Sequence, residues 1–527
     1  MKKIYILISA ALFSTVNIAE AQKKDTLPVP SPVPLKVREF QIVKQQWNIT
    51  ENSAGMGINK VSTGSLTTMG ISRQVGDLHR AQEGNALNGL EFKTDRFDRF
   101  NDKLFLKGTF SFNLDKEYNR AWSDVFHTYN SSPYIFGSSV KGTYETQTFR
   151  LTFMLFTART GKFNYGVGLD YKVADMSRQR DPRSRSYLLD YKLVPSITYN
   201  IDKKNIIGLN LSYRMEKEKM PNLTTVQTDP NLKYYDFRGL NYADGKIGGY
   251  KGFQRQFVSD FFGLAGQYNY IGASSKFLLS VGMDYQKQEV LGNKKQSPGS
   301  YNSFNYSAVA DYVLDRGLYV HNINAKGSYL DGGADEFRQE LQSYKDPVTG
   351  ETTETWVTNY EYTNRYMVKV TDLNISYKLM NLRADKKAVK WSVQPYASYN
   401  QFVNTYYLPK SEFKVSKFFA GANAFASLYS KKENDLDLTI RVAGGVPVKT
   451  DLSLATVTEL NAAVYDVDLA FHKKKTIETF GEIRYTFPLK FGKTKMFGYT
   501  RLYAGNIFAS GSSSWFSTGF SIGLLTL

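Results

Sequence analysis

Histidine is the side chain most often used for acid–base catalysis near neutral pH, and this 527-residue chain has four histidines and no cysteine. His79 and His127 fall in predicted loops, His321 alternates with apolar residues, and His472 precedes three lysines. Catalysis by histidine needs a nucleophile or a carboxylate within hydrogen-bonding reach. None of the four has such a partner close by in the sequence. We predict that the chain is not an enzyme, and an enzyme is the least favoured alternative.

Carboxylate clusters do not predict a metal site. Asp95, Asp98 and Asp102 alternate with arginines, which oppose a bound cation. Residues 331–336 contain three carboxylates around two glycines and could form a calcium-binding loop, but they lack the full spacing of a known calcium loop. Since there is no cysteine, there is no thiolate ligand. We predict no metal and no cofactor.

Strict alternation of apolar and polar residues dominates the chain after about residue 62. In residues 163–173 the odd positions are aromatic or aliphatic, and the even positions are small or polar. Residues 104–114, 207–215 and 277–286 have the same period of two. Such alternation predicts β-strands with one apolar face. Aromatic residues at or near the ends of this face are typical of strands that contact lipid.

The lengths of these strands and of their connections indicate a barrel rather than a soluble β-sandwich. The segments have about ten residues or more, which is enough to cross a bilayer obliquely. Eight short polar turns are predicted, at residues 99–102, 158–162, 202–205, 271–275, 315–317, 381–388, 431–434 and 490–494. Longer connections are predicted at residues 115–146, 217–255, 331–359 and 449–475. Because strand edges must be paired in lipid, the sheet must close.

We therefore predict an all-β fold, a transmembrane antiparallel up-and-down barrel of about 18 strands formed by residues 62–527. The first hairpin, residues 62–74 and 88–98, has no clean apolar face, and without it the count is 16. Residues 449–475 could alternatively hold two more strands.

The start of the chain predicts export. Two lysines, an apolar stretch at residues 4–13 and the small-x-small pattern ending at Ala21 form a cleavable signal peptide, residues 1–21. Residues 22–61 follow, with alternating prolines at 28–34. They are predicted to be a periplasmic linker or a small hatch inside the lumen.

The charge is strongly basic, with 67 Lys+Arg against 49 Asp+Glu and a net charge of +18. Beyond residue 21 no apolar run approaches the roughly 18 residues of a spanning helix, and the mean hydropathy of −0.39 argues against a helical transporter. Lysine clusters lie beside the predicted turns, where they would meet anionic head groups of outer-membrane lipid or lipopolysaccharide. No nucleic-acid partner is predicted, because the basic residues are dispersed over many hairpins.

Two segments resemble known barrels. Trp47 followed by Asn52-Ser53-Ala54-Gly55-Met56 resembles the Asn-Pro-Ala-Gly-Leu segment of long-chain-fatty-acid-transporter-like barrels, with Ser53 in place of the proline. The alternation at residues 516–524 resembles the C-terminal strand read by barrel-assembly machinery, although the chain ends in Leu527 rather than an aromatic residue. The chain as a whole resembles an uncharacterised family of large Gram-negative outer-membrane barrels. That resemblance implies a location but no activity.

Two sets of residues are candidates for function. The polar positions expected to line the lumen are Asn164, Asp170, Lys172, Asn210, Arg214, Asp284, Gln286, Asp311 and Lys326. The aromatic residues of the connection at 217–255 are Tyr234, Tyr235, Phe237, Tyr242 and Tyr250. Exposed aromatic residues are costly unless they fold over the mouth or meet a partner. We expect either a constriction or a docking site for a surface lipoprotein, glycan or receptor barrel.

Three functional classes follow. The favoured class is a channel or facilitated-uptake barrel for small solutes, since an 18-stranded barrel is wide enough for an aqueous pore. The second is a non-conducting partner in a surface nutrient-uptake or assembly complex. The third is a barrel enzyme.

Overall fold

The computed structural model describes residues 33–526 except residues 59–62, 102, 160, 227–230, 241, 248–251, 346 and 493. The predicted signal peptide, most of the proline-containing stretch, Asp102 and Tyr250 lie outside the described residues. Among the described residues, no helix has the length and apolarity needed to cross a membrane.

Twenty-one strands are found in the described part of the chain. They are β1 (Gly64–Gly76), β2 (Ala86–Asn101), β3 (Leu104–Arg120), β4 (Ile135–Ser138), β5 (Gly142–Thr157), β6 (Phe163–Arg178), β7 (Arg185–Asn200), β8 (Asn205–Met220), β9 (Lys233–Gly239), β10 (Tyr242–Ile247), β11 (Arg255–Ile271), β12 (Ser275–Leu291), β13 (Gly299–Arg316), β14 (Tyr319–Lys345), β15 (Thr352–Leu382), β16 (Val389–Tyr406), β17 (Ser411–Lys431), β18 (Asn434–Ser453), β19 (Thr476–Phe491), β20 (Thr494–Ala509) and β21 (Ser514–Thr526). Two α-helices accompany them, α1 (Leu35–Val43) and α2 (Asp466–Lys473).

Eighteen of these strands form one closed antiparallel barrel, as predicted. Strand β1 pairs with β2 on one side and with the last strand, β21, on the other, so the sheet has no free edge along its length. The first hairpin is part of the wall, which decides the count in favour of 18 rather than 16. The remaining strands, β4, β9 and β10, form a separate sheet, which we call the loop sheet.

The two faces of the wall differ as the alternation predicts. Outward-facing side chains are apolar and remain solvent-accessible in the isolated chain, for example Leu211 at 53 %, Val281 at 53 % and Ile522 at 48 % exposure. An apolar belt of this kind suits contact with lipid chains rather than with water. The other face points into the lumen, where residues from outside the wall pack against it.

The two ends of the barrel differ in the length of their connections. At one end, which we call the turn end, consecutive strands are joined at the eight predicted short turns. In the turn between β7 and β8, Asp202 Oδ1 accepts hydrogen bonds from the backbone N–H groups of Lys204 at 2.6 Å and Asn205 at 2.7 Å. At the other end, the loop end, long connections carry the loop sheet and α2. Both termini of the wall lie at the turn end, because Ser65 pairs with Thr526.

One predicted connection and one predicted alternative are wrong. Residues 331–359 are predicted to form a long connection, with a possible calcium-binding loop at residues 331–336, but β14 continues to Lys345 and β15 begins at Thr352. Pairing with the neighbouring wall strands ends at Glu336 and Tyr366, so residues 337–345 and 352–361 form a two-stranded ribbon beyond the barrel. Its residues have no apolar face because both faces meet solvent. The connection predicted at residues 449–475 contains the end of β18, a π-helical turn and α2, so the alternative of two more strands there is wrong.

The core of the protein lies inside the lumen. At the turn end, residues 33–58, which we call the lumenal segment, form α1 and two 3-10 turns, Gln46–Ile49 and Ser53–Ile58. Trp47 and Met56 of this segment pack with wall residues including Phe156 and Leu278. At the loop end, Phe136 and Tyr234 of the loop sheet pack with wall residues such as Tyr301.

Candidate functional site

The lumenal segment docks on the wall through polar side chains that reach across the lumen. Trp47 is fully buried, and its Nε1 donates a hydrogen bond of 3.1 Å to Oδ1 of Asn269 on β11. Asn52 Nδ2 donates to Oε1 of Gln267 on the same strand at 2.9 Å. Buried polar groups are costly unless they are paired. These bonds therefore fix where the segment sits.

The motif that resembles fatty-acid-transporter-like barrels is the folded centre of this segment. A Cβ at Gly55 would lie 2.0 Å from the ring of Trp47, so only glycine permits the indole to lie there. The backbone N–H of Gly55 donates to Oδ1 of Asn52 at 3.2 Å. Ser53, which stands in place of the proline, hydrogen-bonds through its hydroxyl to Ser196 of β7 at 2.9 Å. Serine at position 53 thus gives the segment a polar contact that a proline could not make.

A buried set of ion pairs and a partly exposed pair hold α1 against the wall. Lys36 is 4 % exposed, and its Nζ lies 3.0 Å from Asp435 and 2.6 Å from Asp437, both on β18. One turn along the helix, Glu39 accepts two hydrogen bonds from Arg484 of β19, at 2.5 and 2.9 Å. Removing one partner of a buried pair typically costs about 3–5 kcal/mol, because the other charge stays buried. The segment is therefore held by charge pairing as well as by packing.

The loop sheet closes the other end. Tyr234 is 1 % exposed, and its hydroxyl donates to Oδ2 of Asp124 at 2.7 Å. Asp124 is itself fully buried, accepts a hydrogen bond from Tyr144 of β5 and lies 3.7 Å from Arg178 of β6. Burial and the neighbouring Asp124 raise the pKa of Tyr234 well above its usual range. The phenol therefore stays protonated and keeps donating to the carboxylate.

A group of arginines binds the loop sheet to the wall strands β14 and β15. Glu336 is 2 % exposed and accepts a 2.9 Å hydrogen bond from the hydroxyl of Tyr406. Three guanidinium groups surround it, those of Arg338 at 2.9 Å, Arg365 at 3.2 Å and Arg238 of β9 at 3.7 Å. One buried carboxylate thus joins β9, β14, β15 and β16.

The five aromatic residues proposed as a constriction or docking loop have different environments. Tyr234, Tyr235 and Phe237 are buried in β9. Tyr242 stacks on Tyr406 of the wall with ring centroids 5.7 Å apart. Tyr250 lies outside the described residues. The four described residues pack inside the lumen or against its wall.

Several of the residues expected to line the lumen form ion pairs across strands. Lys172 lies 3.2 Å from Asp190, and Arg214 Nε donates to the same carboxylate at 2.8 Å. Asp170 pairs with Arg150. These pairs neutralise one another, so this part of the lumen presents little uncompensated charge.

The other expected lining residues make mostly neutral contacts. Asn164 donates to Thr198 at 2.9 Å, Asn210 accepts from Gln267 at 2.7 Å, and Gln286 accepts from Ser303 at 3.3 Å. Asp311 accepts from Gln46 of the lumenal segment at 2.9 Å and from Asn322 and Asn324 of β14. Lys326 follows Asn322 and Asn324 on the same face of β14, and Asp284 lies across from Gly263.

A cavity of about 240 Å³ remains between the loop sheet and the wall. Its deep side is formed by Tyr366 and Val368 of β15 and by Phe402 of β16. On its polar side Arg80 donates two hydrogen bonds to Oδ2 of Asp468 on α2, at 2.5 and 3.1 Å. Sequence reasoning missed this pair because its members are 388 positions apart.

The histidines are placed separately. His472 on α2 is 8 % exposed and lies edge-on to Phe402, with ring centroids 5.3 Å apart. Burial, and then Arg80 and Lys417, lower its pKa to about 3. His127 Nε2 lies 3.7 Å from Glu216, and His321 hydrogen-bonds to the hydroxyl of Tyr377 at 2.8 Å. Within the described residues, no cluster of three or more acidic or histidine side chains could hold a metal ion.

A comparison with protein-family models assigns the chain to a family. The model of a family of unknown function, DUF6850, matches residues 53–526. The chain belongs to this family. The match spans the whole wall and begins inside the lumenal segment, at Ser53. Membership agrees with the expected uncharacterised family of large barrels and supplies no activity.

Solved structures with a similar fold are outer-membrane barrels of low sequence identity. The FrpB iron transporter from Neisseria meningitidis is 8 % identical, with 88 % of this chain and 81 % of that chain covered and a TM-score of 0.38. A Pseudomonas aeruginosa FadL homologue is 10 % identical, with 94 % and 98 % covered and a TM-score of 0.33. At these values the similarity carries no argument about function. A comparison with curated protein sequences found no match.

Proposed function

We propose that this protein is an outer-membrane facilitated-uptake barrel for small solutes whose lumen is closed at rest. The observation that carries the proposal is the filling of the lumen from both ends, by the lumenal segment and by the loop sheet. An 18-stranded barrel left empty would be wide enough for an aqueous channel. Here Trp47 and Tyr234, each nearly or fully buried, occupy that space.

The chemistry of the contacts supports a closure that can be released. The wall is held by continuous backbone hydrogen bonds between strands, whereas the lumenal segment is held by side-chain packing, side-chain hydrogen bonds and ion pairs. Polar contacts of the second kind can be exchanged for contacts with water when a segment moves, so their net cost of release is small compared with opening the wall. The proposed opening therefore moves the segment and leaves the barrel intact.

The location is part of the proposal. The apolar outer belt fits a bilayer, and the predicted signal peptide at residues 1–21 would deliver the chain for insertion. The proposed partners are outer-membrane lipid and lipopolysaccharide, which the basic residues would meet, and the barrel-assembly machinery, which would read β21. The contacts of the histidines do not favour an enzyme, which remains the least favoured class.

Single-channel conductance of the refolded mature chain tests the closure. We expect the wild type to be closed for most of the recording. The double variant Asp435→Asn/Asp437→Asn leaves Lys36 buried without its counter-charges, so it should show large, frequent openings. Glu433→Gln is the control, because Glu433 pairs with Lys495 at an exposed turn. Large, stable ohmic steps from the wild type would contradict a closed lumen and favour an open channel.

A second candidate is a non-conducting partner in a surface complex, and the ribbon favours it. Tyr344 and Tyr360 on the ribbon are 64 % and 63 % exposed, and Val348 in its turn is 91 % exposed. Its two strands also have unpaired outer edges, which are a common template for pairing with another chain. A surface lipoprotein or receptor barrel would be the partner. A silent wild type and a silent double variant, both folded, would favour this candidate.

A further inference from the structure

The cavity beneath the loop sheet has the properties of a binding site. Its volume of about 240 Å³ exceeds the roughly 150 Å³ of an apolar cavity known to hold benzene. It is lined on its deep side by aromatic and branched aliphatic side chains, among them Tyr366, Val368, Phe402 and Phe413. Flat aromatic faces favour a ring-shaped occupant, which they contact over a large area.

Two polar groups in the lining lack a hydrogen-bond partner among the described residues. Tyr366 is 5 % exposed, and among the described residues no group hydrogen-bonds to its hydroxyl. Asn404 also lines the cavity, and its Oδ1 is buried without a hydrogen-bond partner in the described part of the chain. A polar group that faces a cavity without a partner is unfavourable, so an occupant that supplies the bond is favoured.

The charges at the cavity exclude a charged occupant. The two ionic side chains in its lining, Arg80 and Asp468, bind each other, and the backbone N–H of Ala81 donates to the second oxygen of Asp468 at 3.0 Å. The guanidinium of Arg80 also lies 3.4 Å from the ring centroid of Tyr129. A charged solute would therefore be buried without a counter-ion, which is strongly unfavourable.

The small number of free polar groups limits the hydroxyl content of the occupant. A sugar buries several hydroxyls, each of which needs a partner. The lining residues Gln82, Thr128, Ser131 and Ser132 already hydrogen-bond within the protein, so Tyr366 and Asn404 remain beside the exposed Asn130. We propose that the cavity binds an uncharged one- or two-ring compound bearing one or two hydroxyl groups, with a hydroxyl hydrogen-bonded to Tyr366. This inference deepens the proposed uptake function, since it names the class of solute.

Isothermal titration calorimetry on the mature protein in detergent tests the site, with 2-naphthol as the probe. Tyr366→Phe removes only the hydroxyl and should weaken binding about three- to tenfold. Val368→Phe fills the cavity and should abolish binding. Tyr360→Phe is the matched control, because it lies on the same strand but 63 % exposed on the ribbon, and it should bind as the wild type does. Partition of the probe into micelles is the same for every variant.

Two further probes define the class. Charged 2-naphthoate and the polyhydroxylated glucose should bind at least tenfold more weakly than 2-naphthol. The proposal is overturned if the wild type fails to bind 2-naphthol, if Val368→Phe binds it as well as the wild type, or if either control probe binds more tightly. Should Val368→Phe fail to fold, Tyr366→Phe against Tyr360→Phe decides.

The outcome is separable from the proposed function. Binding is measured without transport, and uptake is measured separately by flux into proteoliposomes. Tight 2-naphthol binding without flux would leave the site standing and remove the uptake function. Flux of small solutes without 2-naphthol binding would leave the uptake function standing and remove the site.

Discussion

The indole N–H of Trp47 donates a hydrogen bond to Asn269 across 3.1 Å, and this bond joins the lumenal segment to the wall strand β11. Both residues are almost completely buried. The lumenal segment is thus fixed to the wall near the turn end by a contact between residues 222 positions apart. The proposed closed state of the lumen depends on contacts of this kind.

Trp47→Ala should loosen the lumenal segment without opening the wall. Large-to-small changes of a buried tryptophan cost about 3–5 kcal/mol, and here that cost falls on docking of the segment. We expect new trypsin cleavage at Lys36, Arg38 or Lys44 together with increased conductance. Trp391→Ala is the control, since Trp391 packs against the outward-facing Tyr319. Unchanged cleavage in Trp47→Ala would mean that the indole does not hold the segment.

Val281→Arg tests the lipid-facing surface. Val281 lies near the middle of β12 and is 53 % exposed in the isolated chain. An arginine near the bilayer midplane should destabilise the barrel by about 2–4 kcal/mol, measured by urea unfolding in lipid vesicles. Val281→Leu keeps the site apolar and should change stability by less than about 0.5 kcal/mol. Equal stability of the two variants would place Val281 away from lipid.

Glu336→Gln should release the loop sheet. Glu336 is surrounded by Arg238, Arg338 and Arg365, and a neutral amide would leave the largely buried guanidinium of Arg365 without its carboxylate. The expected cost is about 3–5 kcal/mol, expressed as faster amide hydrogen exchange in β9. Exchange in the wall strands should not change. Glu340→Gln, on the exposed ribbon, is the control and should leave exchange in β9 as it is in the wild type.

Docking of α2 should weaken as the pH falls, because His472 is buried in its neutral form. Its pKa of about 3 lies below its usual value, so the undocked state binds more protons than the docked state between about pH 6.5 and pH 3. The contribution of neutral His472 to docking of α2 is fully present above the usual histidine pKa. It falls by about 1.4 kcal/mol for each pH unit below that value. Protease cleavage in residues 454–475 should rise from pH 7 to pH 5. His472→Phe should lose this pH dependence, and a persistent dependence would assign it to another group.

The wall could be predicted from the sequence because lipid imposes a period of two. In β6, Tyr165 and Val167 face outward and Asn164 faces inward, which is the arrangement that their alternation predicts. The ribbon could not be predicted in this way. Beyond Glu336 neither face of β14 meets lipid, so the apolar alternation that identifies a strand is absent there.

The contacts that fill the lumen could not be predicted from the sequence either, for a different reason. Lys36 and Asp435 are both visible as charged residues, but nothing local indicates that they meet. The same holds for Arg80 and Asp468 at the cavity. Contacts between residues hundreds of positions apart depend on how the barrel curves, which the alternation along single strands does not encode. Gly55 is visible in the sequence motif, but the need for glycine there, which is the close approach of the Trp47 ring, appears only in the fold.

The pairing of Ser65 with Thr526 has a consequence for how the protein is made. The strand that begins the wall finds its second neighbour only when the last residues of the chain have been synthesised. Since contacts so distant in sequence form slowly, we expect this seam to close late in folding. A chain that ends before β21 would expose two long unpaired strand edges, which recruit other strands and lead to aggregation. The thirteen residues of β21 thus decide whether the preceding strands aggregate or close into a barrel.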